Sequence, residues 1–335
     1  LKTLAVVVCN NGLGHIKRVL HVLRRLQIPS AQAYRTAVYV DIEKLSHFPA
    51  LTRALLQRKN IRFFDVRSNG AAYEPEFMAK YKKALKEADH VWSDNLVFPL
   101  KYRPDVFLTG SFLWSEIKPD LEQSQREREL LVKTRPAMIA NKYFATPGVR
   151  TLTRYSGVGI YDYLLPRLSA EFPAGILLSC GQSRAAKLHF ERDLSRLKEA
   201  VRVIPRDIRI YIEPDFFGPF RAFKNVKKAD FTEKMFRRIS AAAIRPGLGT
   251  VCDVLLKGGR IFAFFEDDNF EVRHNAKVLE RLGLGQKCRD IPDALTRAAG
   301  FLGDWQGRKK HLARVKKIDF HGVEETTEKI REILH

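Results

Sequence analysis

The chain has 335 residues, 45% hydrophobic and 29% charged, which suits a soluble globular protein of about two domains and excludes a disordered or fibrous one. No stretch approaches the roughly 20 consecutive apolar residues of a membrane-spanning helix, and no fixed-period repeat or low-complexity tract is found. Lys and Arg total 59 against 38 Asp and Glu, a net charge of +21, so an anionic partner is expected: a membrane face, a phosphorylated substrate, an acidic glycan or a nucleic acid.

The opening Leu1–Cys9 resembles a signal peptide only in its short apolar run. Polar Asn10-Asn11 follow without a small-residue cleavage site, so Leu4–Cys9 is predicted as a buried first strand. Helical spacing follows over Ile16–Leu26, with Val19, Leu20, Val22, Leu23 and Leu26 on one face. A strand is predicted at Ala37–Val40, then a helical stretch through Leu56, then strands at Ile61–Val66, His90–Trp92 and Val106–Thr109. Between Thr146 and Phe172 the breakers Pro147, Gly148, Gly157, Gly159 and Pro166 accumulate, with Pro173 just beyond, and predict the inter-domain connection. The pattern then restarts with strands at Gly175–Cys180, Ile208–Ile212, Ala241–Ile244 and Arg260–Phe265, helical segments between them, and a last helix at Glu324–Leu334 that can pack on either domain.

Strands separated by helices predict parallel sheets with crossovers, hence an α/β protein with a Rossmann-like domain over 1–165 and a second over 172–335. Ligands of such sheets bind outside the strand C-termini, and two such edges facing each other make a cleft. The cysteines Cys9, Cys180, Cys252 and Cys288 are far apart and lack metal-ligand spacing, which argues against zinc and against a disulfide framework and favours a reducing, cytoplasmic setting. Basic residues cluster at Lys17, Arg18, Arg24 and Arg25, at Arg53, Arg58, Lys59 and Arg62, and at Arg308, Lys309, Lys310, Arg314, Lys316 and Lys317. No RNA-binding aromatic motif accompanies them, so nucleic acid ranks below the other anions. Solubility alone is the plain alternative.

Three loops carry the chemistry. The first, Asn10 to Arg18, follows the first strand and opens the first helix. Gly12 and Gly14 let a ligand approach the backbone, and the helix start offers N–H groups to an anion. The dinucleotide pattern GxGxxG is absent, since Lys17 stands at its third glycine. His15 suits a general base; alternatively it caps the helix or fills the loop. The second loop, Arg245 to Asp253, again ends in a helix start, where the N–H groups of Gly249, Thr250 and Val251 can hold an anion. Thr250 can reach a phosphate and Asp253 both hydroxyls of a ribose; alternatively these two form a capping box. The third, Phe265 to Glu271, brings acids and an amide suited to sugar hydroxyls, with a divalent metal as rival and a solvated acidic loop as the plain reading. Two weaker elements remain. Ser179 to Ser183, with Gly181, can line the cleft. Asp94 in Ser93-Asp94-Asn95 shares an edge with His15, where a carboxylate can orient the imidazole or simply close a turn.

The run from Arg245 to Leu284 resembles the donor-binding region of GT-B nucleotide-sugar glycosyltransferases: the R-P-G-L-G-T loop, the D-D-N-F-E stretch, His274-Asn275-Ala276, then Leu282-Gly283-Leu284-Gly285. The G-L-G-H loop at 12–15 is similar to the first-domain glycine-rich loop of that superfamily. In style the chain is similar to the peptidoglycan N-acetylglucosaminyltransferase and to the pseudaminic-acid-pathway nucleotide-sugar hydrolase. The coarse domain order agrees along nearly the whole chain, and the motifs cover about a third of it. The resemblance implies a metal-independent, inverting transfer from a nucleotide-diphosphate sugar, UDP-type first, to an acceptor hydroxyl, with no separate cofactor. It implies that Gly247, Gly249 and Thr250 hold the diphosphate, with Arg245 as the nearest basic side chain and Gly12, Gly14 and Gly181 in the donor-binding set. Asp253 stands where the family has a ribose-binding glutamate and is one methylene shorter. Asp268 and Asn269 match the acid-plus-glutamine pair that reads sugar hydroxyls, Asn269 again being shorter. His15 matches the histidine base of several relatives. The acceptor is left open, with an anionic or lipid-linked one and the inner membrane face suggested by the charge. Two rival readings remain: a nucleotide-sugar hydrolase, which shares every donor motif and in which His15 activates water, and a non-enzymatic polyanion- or nucleic-acid-binding protein, supported by the charge alone.

Overall fold

Leu4, Ala5, Val6, Val7 and Val8 are each at most 1% exposed. So continuous a run marks a strand covered on both faces, as in parallel α/β sheets. In the computed structural model it forms β1 (Lys2–Val8), and the same sheet continues with β2 (Tyr34–Val40), β3 (Ile61–Asp65), β4 (His90–Asp94), β5 (Phe107–Gly110), β6 (Ala137–Asn141) and β7 (Arg154–Val158). The structure describes residues 1–26, 34–117, 119–164, 173–181, 184–265 and 268–335, the side chains of 184–186 apart. The described residues divide into two units, Leu1–Tyr161 with His321–His335, and Asp162–Phe320.

Among the described residues, the first unit pairs its strands in the order β3-β2-β1-β4-β5-β6-β7, and every pairing is parallel. The chain runs outward from β1 to β3, then crosses back to β4 on the other side of β1. The helix Leu13–Arg25 connects β1 to β2 and buries Ile16, Val19, Leu20 and Leu23, the i, i+3, i+4, i+7 stripe of an amphipathic helix. Arg58 closes its last turn by donating to the carbonyls of Leu23 (2.9 Å) and Arg24 (2.6 Å). The C-terminal helix Gly322–Leu334 belongs to this unit, and the second unit ends at Phe320. It buries Val323, Thr326, Thr327, Ile330 and Leu334. The Tyr34 hydroxyl donates to Leu334 O (2.7 Å), and the Glu325 carboxylate accepts the Gly159 N–H (2.6 Å).

The expected connection over 146–172 needs correction. Pro147 opens a short helix, Pro147–Leu152, and β7 follows it inside the first sheet. Its proline and glycine serve a helix start: Pro147 fits the first turn, which needs no N–H partner, and Gly148 N–H donates to Glu116 (2.7 Å). The part of that connection over 165–172 lies outside the described residues.

The second unit repeats the plan with β8 (Gly175–Ser179), β9 (Arg209–Ile212), β10 (Val226–Lys228), β11 (Ala241–Ile244), β12 (Arg260–Ala263) and β13 (Gly285–Lys287). Among the described residues the order is β10-β9-β8-β11-β12-β13, again parallel. Its core sets Ile176, Leu178, Ile210 and Ala243 of the sheet against Leu197 of the helix Arg184–Val203 and Leu295 of the helix Ile291–Gly303. Gly175 permits a close crossing, because a Cβ there would lie 2.0 Å from the Arg238 carbonyl oxygen.

That crossing yields a prediction. Gly175→Ala lowers unfolding stability by about 1–3 kcal/mol, the usual result of overpacking, seen as a reduced urea midpoint. Gly218→Ala, where a Cβ meets nothing within 4 Å, leaves the midpoint within about 0.5 kcal/mol of wild type. Equal midpoints for the two variants would contradict the packing assigned to Gly175.

Candidate active site

In each sheet the strand order reverses at one point, and loops leaving adjacent strands in opposite directions open a crevice there. In the first unit the reversal lies between β1 and β4. The loop after β1 carries His15, and β4 ends on Asp94. His15 Nδ1 lies 2.9 Å from Asp94 Oδ2. Arg18, one helical turn beyond His15, donates from Nε to Asp94 Oδ1 (2.9 Å) and from Nη2 to Oδ2 (3.0 Å). The Thr109 hydroxyl from β5 donates to Oδ1 (2.7 Å) and itself accepts from Trp92 Nε1 (2.8 Å). Asp94 is 0% exposed, Arg18 5% and His15 9%.

Burial by itself would raise the Asp94 carboxyl. The Arg18 charge, the His15 contact and the Thr109 hydroxyl outweigh it and hold the group below the ordinary carboxylate value. His15 Nδ1 lies between two partners: Asp94 Oδ2 (2.9 Å), to which a protonated Nδ1 donates, and Arg18 Nη2 (3.1 Å), from which an unprotonated Nδ1 accepts. With the proton on Nδ1, a neutral ring presents Nε2 as an acceptor. The Phe112 ring stands edge-on to His15 (6.0 Å between centroids) and Trp114 edge-on to Phe112 (5.0 Å). Beside them, burial pushes the Cys9 thiol up to about 12, so it stays neutral.

The backbone of the loop is set by Gly12, whose φ of +98° is strained for any residue with a side chain. Gly12 is also the N-cap of the Leu13–Arg25 helix and supplies no side-chain cap. A Cβ at Gly12 or Gly14 would meet nothing within 4 Å, so the loop faces open space. Asn10, buried at the end of β1, ties three loops together. Its amide donates to Val66 O (2.5 Å) and Ser68 O (3.0 Å), and its oxygen accepts the Asp41 N–H (3.0 Å).

In the second unit the reversal lies between β8 and β11. The loops after these strands are joined where Arg245 N–H donates to Ser179 O (2.9 Å). Gly247 is the N-cap of the helix Leu248–Leu256 and offers no side-chain cap. The Thr250–Asp253 capping box therefore does not form: Thr250 lies inside the first turn. The Val251 N–H, expected to face a ligand, is bonded to Gly247 O (3.1 Å) as part of the helix. The first-turn N–H groups are those of Leu248, Gly249 and Thr250. Asp253 is buried, only 5% exposed. Gly181 has a φ of +70° and gives its N–H to Glu213 (3.2 Å), whose carboxyl also accepts Ser179 Oγ and the Cys180 N–H. Burial pushes the Glu213 carboxyl above its ordinary value, the loop donors offsetting it in part.

The loop after β12 places Asp268 at the surface and Asn269 at the N-cap of the helix Phe270–Arg281, where its oxygen accepts the Val272 N–H (3.2 Å). Glu266, Asp267, Gln182 and Ser183 lie outside the described residues. From the same helix, buried Asn275 donates to Pro246 O (2.9 Å) and braces the glycine-rich loop. Among the described residues no group of three or more His, Cys, Asp or Glu gathers that could hold a metal ion. Arg18, Thr109, Glu213 and the bracing role of Asn275 are additions to the residues the sequence singled out. For Arg18 a signal existed, its i+3 spacing from His15 on one helix face.

Solved structures with this arrangement decide the architecture. The glycotransferase of kitacinnamycin superposes with a TM-score of 0.65 at 14% identity, over 100% of this chain and 99% of its own. MurG of Acinetobacter baumannii gives 0.61 at 15%, over 99% and 100%. The chain has the GT-B fold. A further GT-B structure, the spinosyn rhamnosyltransferase SpnG complexed with thymidine diphosphate, gives 0.60 at 14%, over 98% and 100%. No family model and no curated protein sequence matches the chain.

The Asp94 environment predicts a pH signature. A carboxyl held low in the folded state stabilises the fold above its unfolded value, about 3.9, and that contribution is lost as pH falls from there through the lower folded value. Asp94→Asn is therefore less stable than wild type at neutral pH, and the gap narrows below about pH 4. Chemical denaturation across pH measures it; a gap that stays constant with pH would contradict an ionised Asp94.

Proposed function

We propose that this chain is a glycosyltransferase that moves a sugar from a nucleoside-diphosphate donor to an acceptor hydroxyl. The observation that carries the reading is the buried His15–Asp94 pair at the switch point of the first sheet. An uncapped helix N-terminus at the matching point of the second supports it. His15 Nε2 takes the acceptor proton as the hydroxyl oxygen attacks the anomeric carbon. The bond from that carbon to the diphosphate oxygen breaks, and the diphosphate departs with the electron pair. Attack opposite the leaving group inverts the anomeric centre. The first-turn N–H groups of Leu248, Gly249 and Thr250 meet the charge that develops on the diphosphate, as preorganised dipoles do in oxyanion sites. Binding by these dipoles and by Arg245 makes the reaction independent of metal.

UDP is the first candidate nucleotide. Thymidine diphosphate is the second, since SpnG and VinC, both of similar fold, are described in complex with it. Asp253 is the candidate ribose partner, and Asp268 and Asn269 are the candidate readers of the sugar. The +21 charge supports attraction to an anionic acceptor or membrane face. No described helix is long and apolar enough to cross a membrane.

Thermal denaturation against nucleoside diphosphates and their sugars without added metal tests the donor site, because a ligand of the folded state raises the midpoint by mass action. One pyrimidine nucleotide is expected to raise it, with the effect lost in Asp253→Ala. His15→Ala keeps that shift and loses about 10²–10⁴-fold in turnover, the usual worth of a general base. No shift with any nucleotide at millimolar concentration would remove the donor assignment, and sugar release at one rate with and without acceptors would make the enzyme a hydrolase. For the surface charge, retention by phosphatidylglycerol vesicles but not phosphatidylcholine vesicles is expected, falling as salt rises. Equal retention by both would remove the membrane partner.

A further inference from the structure

Asp94 accepts from Thr109 and Arg18 Nε on Oδ1 and from Arg18 Nη2 on Oδ2, and His15 Nδ1 stands 2.9 Å from Oδ2. With a proton on Nδ1 that makes four, the acceptor capacity of a carboxylate. Arg18 spans both oxygens, its Nη2 lying 2.7 Å from Oδ1 and 3.0 Å from Oδ2. The Arg18 guanidinium also lies over the Tyr161 ring, 5.6 Å from its centroid, so packing fixes its plane. A buried carboxylate beside an imidazole favours an added proton, on the carboxyl or on the ring as imidazolium, unless other donors balance its charge. An imidazolium has no lone pair and is no base. Arginine is a permanent cation. Here it balances Asp94 without any charge on the ring; its Nη2 stands within hydrogen-bond distance of Nδ1 (3.1 Å), where a ring cation would face another cation.

We propose that Arg18 is the positioning residue of this site: it serves as the counter-ion of Asp94 and thereby keeps His15 neutral, with its proton on Nδ1 and its lone pair on Nε2. The inference rests on the reading of His15 as the base for its catalytic meaning, while the protonation state it specifies is measurable without substrate. Arg18 acts through Asp94 and not on substrate, so its loss changes the chemical step and leaves nucleotide binding alone.

The test is long-range 1H–15N NMR of the full chain labelled at histidine, with His15 assigned by comparison with His15→Gln. In the wild type at neutral pH, His15 is expected to show a protonated Nδ1 and an unprotonated Nε2. The opposite tautomer, with Nδ1 accepting from Arg18, or an imidazolium would overturn the proposal, and this measurement needs no variant beyond the one used for assignment. In Arg18→Met the ring is expected to become an imidazolium paired with Asp94, and in Arg18→Lys, which keeps the charge, to remain neutral. A neutral Nδ1–H ring in Arg18→Met would overturn it as well. Thermal shifts with UDP and thymidine diphosphate run in parallel separate this idea from the functional reading. With a nucleotide that binds, its sugar is the turnover probe: Arg18→Met is expected to lose about 10²–10⁴-fold in kcat with KM unchanged. A loss confined to KM would count against Arg18 as a positioning residue. A wild-type tautomer as expected without any nucleotide binding would uphold the role of Arg18 and reject the glycosyltransferase.

Discussion

A carboxylate with no exposed surface sits at the end of β4, and the first unit is arranged around meeting its charge. Removing one partner of a buried ion pair typically costs about 3–5 kcal/mol, because the other charge is left without solvent or counter-ion. That penalty fixes where Arg18 and His15 must stand. Both come from one turn of the Leu13–Arg25 helix, so the helix cannot rotate or slide without breaking the pair. β1 fixes the start of that helix through Gly12 and Asn10. The register of β1 against β4, with Val8 opposite Asp94, then sets the His15–Asp94 distance. A pairing slip of one residue would turn Asp94 to the other side of the sheet.

The two units solve a similar problem in different ways. In the first, the loop at the switch point is held by side chains with charge, and a titratable ring results. In the second, negative charge is kept out of the corresponding helix start, and backbone N–H groups face the loop. The first turn of Leu248–Leu256 has neither a side-chain cap nor an acidic residue. An acid there would satisfy the helix and repel a diphosphate. Glu213, the nearby carboxyl that does engage the loop after β8, is held above its ordinary value by burial. A glycine cap costs a helix start only a few tenths of a kcal/mol relative to a side-chain cap, and Asn275 and the Arg245–Ser179 backbone bond fix the loop from behind.

Much of this was legible in the sequence because buried parallel strands read as continuous apolar runs. β1, β8 and β11 stand out in that way, and the loops after them contain the glycines that mark a close approach. The strands that escaped notice are β6, β7, β10 and β13. β10 and β13 have three residues each, with Lys227, Lys228 and Lys287 exposed at the edges of the sheet. β7 is half exposed and broken by Gly157. Neither length nor periodicity distinguishes such edge strands from loops. At the site, His15 and Asp94 were legible as loop residues after strands, whereas their pairing depends on β4 lying beside β1, which is a property of topology. Arg18 was hidden in a different way: it stood in a basic cluster and read as surface charge.

The same misreading applies to other members of the basic surplus. Arg58 donates to two carbonyls at the end of the Leu13–Arg25 helix, and Arg331 donates to the carbonyl of Arg25 (3.0 Å). Arg25 pairs with Glu324, and Arg314 closes on the Gly283 carbonyl (3.4 Å). Arg58, Arg331 and Arg314 satisfy carbonyls at or just beyond helix C-termini, which favour positive charge through the helix dipole and lack N–H partners for their last carbonyls. Part of the excess of Lys and Arg over Asp and Glu is thus a consequence of how the helices end. The positive charge that remains at the surface includes Lys309, Lys310, Lys316 and Lys317, all exposed on or just beyond the helix Trp305–Val315. Any argument from charge to an anionic partner has to rest on residues of this second kind, since a cation already bonded to a helix end has its donors and its orientation committed to the fold.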